Sequence, residues 1–114
     1  MSEKCKPLRI NETHMTLRVE SSTDEIRVMP TGDIDHEGAE VLKATVTGLS
    51  LSEKKAVVFD LRGVGYIGSA GLGKLLLFYK RLSAEKVQMR IESASPAIHK
   101  LLLELRLDTL FKIA

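Results

Sequence analysis

The fold is decided by the stretch AVVFDLRGVGYIGSAGLGKLLLFYKRLSA, which spans residues 56–84. It opens with a short, valine-rich apolar run at residues 56–61, which is typical of a strand buried on both faces. A glycine-rich segment follows, and after it the leucines recur at the spacing of an amphipathic helix. We therefore predict a strand, a loop over residues 62–69 and a helix over residues 69–83, with Leu76 packed against the sheet.

Outside this stretch the apolar residues alternate between the period of a strand and the period of a helix. The predicted elements are a β-hairpin at residues 15–20 and 26–30, a helix at residues 36–49, a strand at residues 87–91, a helix that Ser95 and Pro96 begin, and a strand at residues 110–113. The order β-β-α-β-α-β-α-β predicts an α/β fold, a mixed β-sheet with helices packed against it. Because sites in such sheets collect beyond the carboxyl ends of the parallel strands, we expect the segments at residues 32–37 and 62–69 to be neighbours.

Length and composition fit one soluble domain. The chain has 114 residues, of which 44% are apolar and 28% are charged. We expect a single domain over residues 1–114, with residues 1–7 as a flexible N-terminal tail. No apolar run approaches the roughly 20 residues that a membrane span needs, and the N-terminus lacks the apolar stretch of a signal peptide. We therefore expect a cytoplasmic protein without a membrane span.

Residue counts disfavour several kinds of site. The single cysteine, Cys5, cannot form an internal disulfide, and the histidines His14, His36 and His99 are too far apart in sequence to indicate a metal site. The net charge of +2, with two Tyr, three Phe and no Trp, gives no basis for nucleic-acid binding. We expect no metal, no cofactor and no nucleic-acid partner.

Charge is distributed unevenly along the chain. Residues 1–53 carry six basic and ten acidic side chains, whereas residues 54–114 carry eleven basic and five acidic ones. The acidic excess is greatest at residues 32–40, which contain Asp33, Asp35 and two glutamates. Acidic residues near a helix N-terminus are stabilised by the helix dipole, and a functional acidic patch is the alternative interpretation.

The glycine-rich segment matches two nucleotide-binding motifs in residue type and spacing. Residues 63–68 fit GxGxxG, but the chain is too short for a doubly wound second half. Residues 68–74 fit GxxxxGK, but Leu75 stands where the phosphate-binding loop needs Ser or Thr to hold Mg²⁺. Six residues also separate the predicted strand from the first glycine of that motif. A small nucleotide-binding domain is therefore the enzyme-class alternative.

Ser69 stands at the predicted start of the central helix. As an N-cap, its hydroxyl would accept a hydrogen bond from a backbone N–H two or three residues further on. The same position would favour a phosphate, because the free N–H groups and the dipole at a helix N-terminus attract anions. No histidine follows in a catalytic pattern, so a serine hydrolase is not expected. The residues leave both the capping role and the phosphate role open.

The chain resembles the STAS domain of anti-sigma factor antagonists over most of its length, from about residue 8 to the end. The matching stretches are the turn Gly-Asp-Ile-Asp at residues 32–35, the central strand at residues 57–61, the phosphorylation loop at residues 67–73, and the closing segments at residues 95–97 and 110–113. The resemblance implies the STAS fold and a regulatory module that is not an enzyme.

The resemblance also implies a partner switch. In that family the unphosphorylated domain binds an anti-sigma factor that is also a serine kinase, and phosphorylation of the loop serine releases it. A serine phosphatase reverses the modification. Ser69 matches the phosphorylated serine. The expected surroundings of the site are Asp33, Asp35, Gly68, Ala70, Gly71 and Leu72.

The chain departs from the family at Gly68, because an aspartate usually precedes the phosphorylated serine. Ala70 replaces a frequent second serine, which leaves Ser69 as the acceptor candidate in the loop. The alternative function is therefore a STAS scaffold, or a subunit of a stress-signalling or lipid-transport assembly, whose serine is never phosphorylated.

Overall fold

The computed structural model describes residues 15–114, and its secondary structure follows the predicted order with one additional strand. The elements are β1 (Thr16–Ser21), β2 (Glu25–Ile34), α1 (His36–Thr47), β3 (Ala56–Asp60), β4 (Gly63–Ile67), α2 (Ser69–Ala84), β5 (Gln88–Glu92), α3 (Pro96–Glu104), a 3₁₀ helix (Leu107–Thr109) and β6 (Lys112–Ile113). Cys5, His14 and the tail predicted at residues 1–7 lie outside the described residues.

The sheet is mixed, as predicted. β1 and β2 are antiparallel, and the parallel strands extend the sheet in the order β1-β2-β3-β5-β6. β6 is shorter than predicted, because the Leu110 and Phe111 N–H groups still donate to the Leu107 carbonyl of the preceding 3₁₀ helix. The predicted start of α3 is confirmed, since the Ser95 side chain accepts a hydrogen bond from the Ile98 N–H at 3.3 Å and Pro96 follows it.

The predicted loop at residues 62–69 is wrong, because most of it forms β4. β3 pairs with the first half of the long strand β2, and β4 continues along the same edge to pair with the second half. The register shifts by one residue beside Gly65, and Gly32 on the facing strand has a φ of 107°. Glycine permits such a β-bulge, since it accepts backbone conformations that other residues rarely adopt.

One face of the sheet forms the core with the helices. Phe59 on β3 stacks on Phe78 on α2, with ring centroids 5.7 Å apart and planes at 2°. The buried stripe of α2 consists of Gly71, Leu75, Phe78 and Leu82. The prediction that Leu76 faces the sheet is wrong, because it is 39% exposed whereas Leu75 is fully buried. Because residues 75–79 are all leucine or aromatic, the apolar spacing did not show which of them faces the sheet.

Charged side chains cover the other face of the sheet. Val58 on β3 lies in register between Arg27 on β2 and Arg90 on β5, and it is fully buried. Arg27 contacts Asp60 at 3.2 Å and Glu92 at 3.1 Å, and Arg90 contacts Glu92 at 3.4 Å. Desolvation lowers the pKa of Arg27, but the hydrogen bonds and charges of Glu92 and Asp60 outweigh it and raise that pKa above its ordinary value. The guanidinium therefore stays charged above the open sheet face.

Candidate functional site

The ends of β2 and β4 bring the acidic segment and the glycine-rich segment together. Ile34 pairs with Ile67 at the end of this ladder, and the Gly68 N–H donates to the Ile34 carbonyl at 3.0 Å. α1 and α2 begin immediately after these two strands. The expectation that the two segments are neighbours is confirmed. We call residues 32–38 and 65–72 together the carboxyl edge.

Ser69 is the first residue of α2, and it does not cap the helix. The N-cap is Gly68, whose backbone is extended at φ −95° and ψ −178°, and no side chain caps this helix end. Of the two roles that the sequence left open for Ser69, the structure excludes helix capping. Ser69 is exposed, and its side chain makes no hydrogen bond to any residue from 15 to 114. The Ser69 hydroxyl is therefore accessible from solvent, and it takes no part in holding the fold together.

The first turn of α2 also offers backbone donors. The first intrahelical hydrogen bond runs from the Leu72 N–H to the Gly68 carbonyl at 3.0 Å. The N–H groups of Ser69, Ala70 and Gly71 precede that donor, and helix geometry gives them no acceptor within the helix. Together with the helix dipole, these groups make the start of α2 a favourable place for an anion.

The acidic side chains of residues 32–40 fall into two groups. Asp35 is the N-cap of α1, and its Oδ1 accepts a hydrogen bond from the Gly38 N–H at 2.8 Å. Glu40 pairs with the Lys74 ammonium at 3.3 Å. Asp33 and Glu37 are exposed and form no ion pair within the described part of the chain. Asp35 therefore stabilises the start of α1. A functional acidic patch stays a prediction for the exposed Asp33 and Glu37.

Gly71 positions α2 and is not part of the exposed surface. A Cβ at this position would lie 2.6 Å from Ile34 Cγ2 and 2.8 Å from Ile67 Cγ1, so only glycine allows the helix to approach the ends of β2 and β4 this closely. Ala70 and Leu72, the other predicted neighbours in this turn, are half-buried and pack against the core cluster.

Tyr66 belongs to the site, although the sequence did not indicate it. Its side chain is 54% exposed, and it stands opposite Asp33 in the β2–β4 ladder. A Cβ at Gly68 would lie 2.9 Å from the Tyr66 hydroxyl, so the phenol ring lies across the glycine that precedes Ser69. The alternation of buried Val64 and Ile67 with exposed residues signals this position, but only once the segment is taken as a bulged strand.

The geometry does not support either nucleotide-binding motif. Most of the GxGxxG match at residues 63–68 lies in β4, and the GxxxxGK match at residues 68–74 forms the N-cap and the first turns of α2. Neither segment is a loop that wraps a phosphate with its backbone N–H groups. The Lys74 side chain pairs with Glu40 instead of extending over such a loop.

The part of the chain that the structure describes has neither a metal-ligating cluster nor a membrane-spanning helix. Residues 15–114 contain no group of three or more His, Cys, Asp or Glu side chains placed to hold a metal ion. No helix in the same part of the chain is long and apolar enough to cross a membrane.

Comparison with known proteins identifies the family. The STAS domain family model matches residues 14–114. The chain belongs to the STAS domain family. A STAS-domain containing protein of Pseudomonas aeruginosa is 28% identical to this STAS domain over 90 residues, which are 79% of this chain and 88% of that protein.

Solved structures share the fold. An anti-sigma factor antagonist from Mycobacterium paratuberculosis superposes with a TM-score of 0.79 at 26% identity, covering 90% of this chain and 87% of that one. The anti-sigma factor antagonist SpoIIAA, in its unphosphorylated form, gives a TM-score of 0.74 at 17% identity, covering 87% of this chain and 88% of that one. The predicted STAS fold is confirmed.

Proposed function

We propose that this STAS domain is an anti-sigma factor antagonist, a protein-binding module without catalytic activity whose partner is released when Ser69 is phosphorylated. The observation that carries the proposal is the free Ser69 hydroxyl, which is exposed at the first position of α2 and makes no hydrogen bond within residues 15–114. The likeness to the mycobacterial antagonist supports the same class of function. The proposed partners are an anti-sigma factor that is a serine kinase and a serine phosphatase, both in the cytoplasm.

Phosphorylation would change the charge of the carboxyl edge without refolding it. A phosphate adds a charge of about −1.5 to −2 at pH 7. Within the domain, the unsatisfied N–H groups at the start of α2 favour that charge. Against a bound partner the same charge must lose its hydration, and it adds to the negative charge of the exposed Asp33 and Glu37. The modification therefore stabilises the free domain relative to the complex.

The exposed side of α2 extends this surface beyond Ser69. Ser69, Gly73 and Leu76 are spaced by four and three residues and therefore share one face of the helix. No atom lies within 4 Å of a Cβ built at Gly73, and Leu76 and Leu77 are 39% and 47% exposed. A partner could approach the helix backbone closely at Gly73 and bury the neighbouring leucines. Burial of this apolar surface would supply affinity that a phosphate at Ser69 then opposes.

Gly68 sets the recognition of Ser69 apart from the pattern that the family resemblance implies. The family's aspartate before the phosphorylated serine is absent, and the Tyr66 ring occupies the space over residue 68. The proposed kinase therefore recognises a serine flanked by an exposed phenol and by the Asp33 carboxylate on the facing strand. This combination would select a different kinase from one that requires an acidic residue at position 68.

The direct test is phosphorylation by an anti-sigma factor kinase that is encoded in the same genome. We expect ATP and the kinase to add one phosphate to the wild-type domain, on the tryptic peptide that contains Ser69. Ser69→Ala should take up none, and Ser83→Ala, at the exposed far end of α2, should take up as much as wild type. Phosphate on another residue, or none with any such kinase, would contradict the proposal.

A binding titration tests the switch itself. Ser69→Asp carries about half the charge of a phosphate and should weaken binding to the same kinase by about tenfold or more. Ser69→Ala should bind as wild type does and stay bound in the presence of ATP. Equal affinity of Ser69→Asp and wild type would favour the alternative of a STAS scaffold whose serine is not modified.

A further inference from the structure

A cavity lies at the other end of α2 from Ser69, beside the short strand β6. Its volume is about 480 Å³, within the range of small-molecule sites. It exists because β6 pairs with only two residues of β5, Arg90 and Ile91, so that Gln88 and Met89 have no strand beside them on that edge. The missing length of strand leaves a hollow between the end of α2 and the edge of the sheet.

The floor of this cavity is apolar. Met89, Val87 and Phe111 line it and are at least nine-tenths buried, and Tyr79 on α2 lines it as well. The rings of Tyr79 and Phe111 have centroids 6.0 Å apart and are tilted by 49°. An apolar body, flat enough to lie against two tilted rings, would bury its surface here.

The rim of the cavity is positively charged. Lys86 and Lys112 line it and form no ion pair with any residue from 15 to 114. Arg90 also lines it, but Glu25 and Glu92 neutralise this side chain at 3.1 and 3.4 Å. No acidic residue lines the cavity. Two lysines without an ion-pair partner, in a cavity that buried apolar side chains also line, are complementary to a ligand that has an anionic head and an apolar body.

We propose that this cavity binds a small organic anion, a carboxylate or phosphate attached to an apolar body. Lys86 and Lys112, which both line the cavity, supply the positive charge for the head group, and Met89, Phe111 and Tyr79 supply apolar surface for the body. The site is separate from the carboxyl edge and does not depend on phosphorylation of Ser69. It would give the domain a second input, a metabolite, alongside its protein partners.

The test uses 1-naphthyl phosphate as the probe. We expect a dissociation constant of about 0.1–1 mM, which is the usual affinity for a ligand of this size. Inorganic phosphate and 1-naphthol should each bind at least tenfold more weakly, because phosphate lacks the apolar body and 1-naphthol lacks the anionic head. In ¹H–¹⁵N spectra of the wild-type domain, the shifts should be confined to residues 79–90 and 110–112. Shifts at the start of α2 instead would overturn the assignment of the site.

Variants separate the contributions that the lysine charges and the apolar lining make to binding of the probe. Lys86→Gln and Lys112→Gln should each weaken binding about three- to tenfold, whereas Lys100→Gln, an exposed lysine of α3 that does not line the cavity, should leave it unchanged. Leu110→Gln, at a half-exposed lining position, should also weaken it. If these variants bind as wild type does, or if the domain sediments with phosphatidylglycerol vesicles and does not bind the free probe, the proposal is wrong.

Discussion

The free hydroxyl of Ser69 has a consequence for stability. Ser69 makes no cap, so Ser69→Ala should change the free energy of unfolding by less than about 0.5 kcal/mol, as a surface substitution does. Ser95 is the matched control, because its side chain caps α3 through the Ile98 N–H. Ser95→Ala should cost about 0.5–2 kcal/mol. Urea melts of the two variants measure both values, and an equal loss in the two would mean that Ser69 caps α2 after all.

The roles of single residues were predictable where a local pattern determined them. Ser95 followed by Pro96 is typical of a helix start, and the structure has it. Ser69 had the right residue type for a cap. However, β4 continues to Ile67 and α2 begins at Ser69, so Gly68 takes the cap position. Tyr66 was missed because its place beside Ser69 depends on the register of β4 against β2, which no short stretch of sequence specifies.

Two glycines of α2 differ in what surrounds them. A Cβ at Gly71 would lie 2.6 Å from Ile34 Cγ2, whereas a Cβ at Gly73 would meet nothing within 4 Å. Gly71→Ala should therefore destabilise the domain by about 1–3 kcal/mol, the usual cost of overpacking. Gly73→Ala should stabilise it by up to about 1 kcal/mol, because alanine is the better helix former. Thermal melts of the two variants should shift in opposite directions.

The orientation of α2 is tested by adjacent leucines. Leu75 is fully buried and Leu76 is 39% exposed. Leu75→Ala should cost about 2–5 kcal/mol, and Leu76→Ala should cost less than about 1 kcal/mol. Denaturant midpoints give both numbers. If Leu76→Ala lost more stability than Leu75→Ala, Leu76 would be the residue that faces the core. The exposed stripe that we assign to a partner would then not exist.

The elements themselves were largely predictable, and the exceptions have a physical cause. The hairpin, the three helices and the parallel strands β3 and β5 follow from apolar period and turn residues. β4 was missed because its stability comes from β2 on the facing edge and its bulge at Gly65, so its own sequence looks like a loop. The buried face of α2 was mispredicted because apolar side chains extend around the helix. Only the position of the sheet determines that Leu75 is the buried residue.

The ion pairs over the open sheet face stabilise the molecule as a whole. Arg27 bridges β2 to β3 and β5 through Asp60 and Glu92, and Asp60 is only 8% exposed. Arg27→Met keeps the apolar stem over Val58 but removes a charged partner from a buried carboxylate, and should cost about 1–3 kcal/mol. Arg18→Met is the control, because the Arg18–Glu20 pair at 3.4 Å is exposed and should contribute less than about 1 kcal/mol. Equal losses in urea melts would mean that Asp60 does not depend on Arg27.

The two proposed sites lie at the two ends of α2, and their separation leads to a prediction about coupling between them. Ser69 begins the helix and Ser83 lines the cavity near its end, so that at 1.5 Å per residue the sites are about 20 Å apart along the axis. Two sites influence each other only if a common element has two arrangements that both ligands distinguish. α2 is packed at both ends, through Gly71 against β2 and β4 and through Leu82 within the core, so we expect no second arrangement that a charge at Ser69 would favour.

The affinity for 1-naphthyl phosphate should therefore be the same, within about twofold, in Ser69→Asp and in wild type, since distant independent sites contribute additively. Isothermal titration of the two proteins measures this directly, and Lys112→Gln serves as the positive control for a loss of affinity. A difference of fivefold or more between Ser69→Asp and wild type would show that α2 moves as a unit. By thermodynamic reciprocity, the small anion would then change how tightly the domain holds a charge at Ser69.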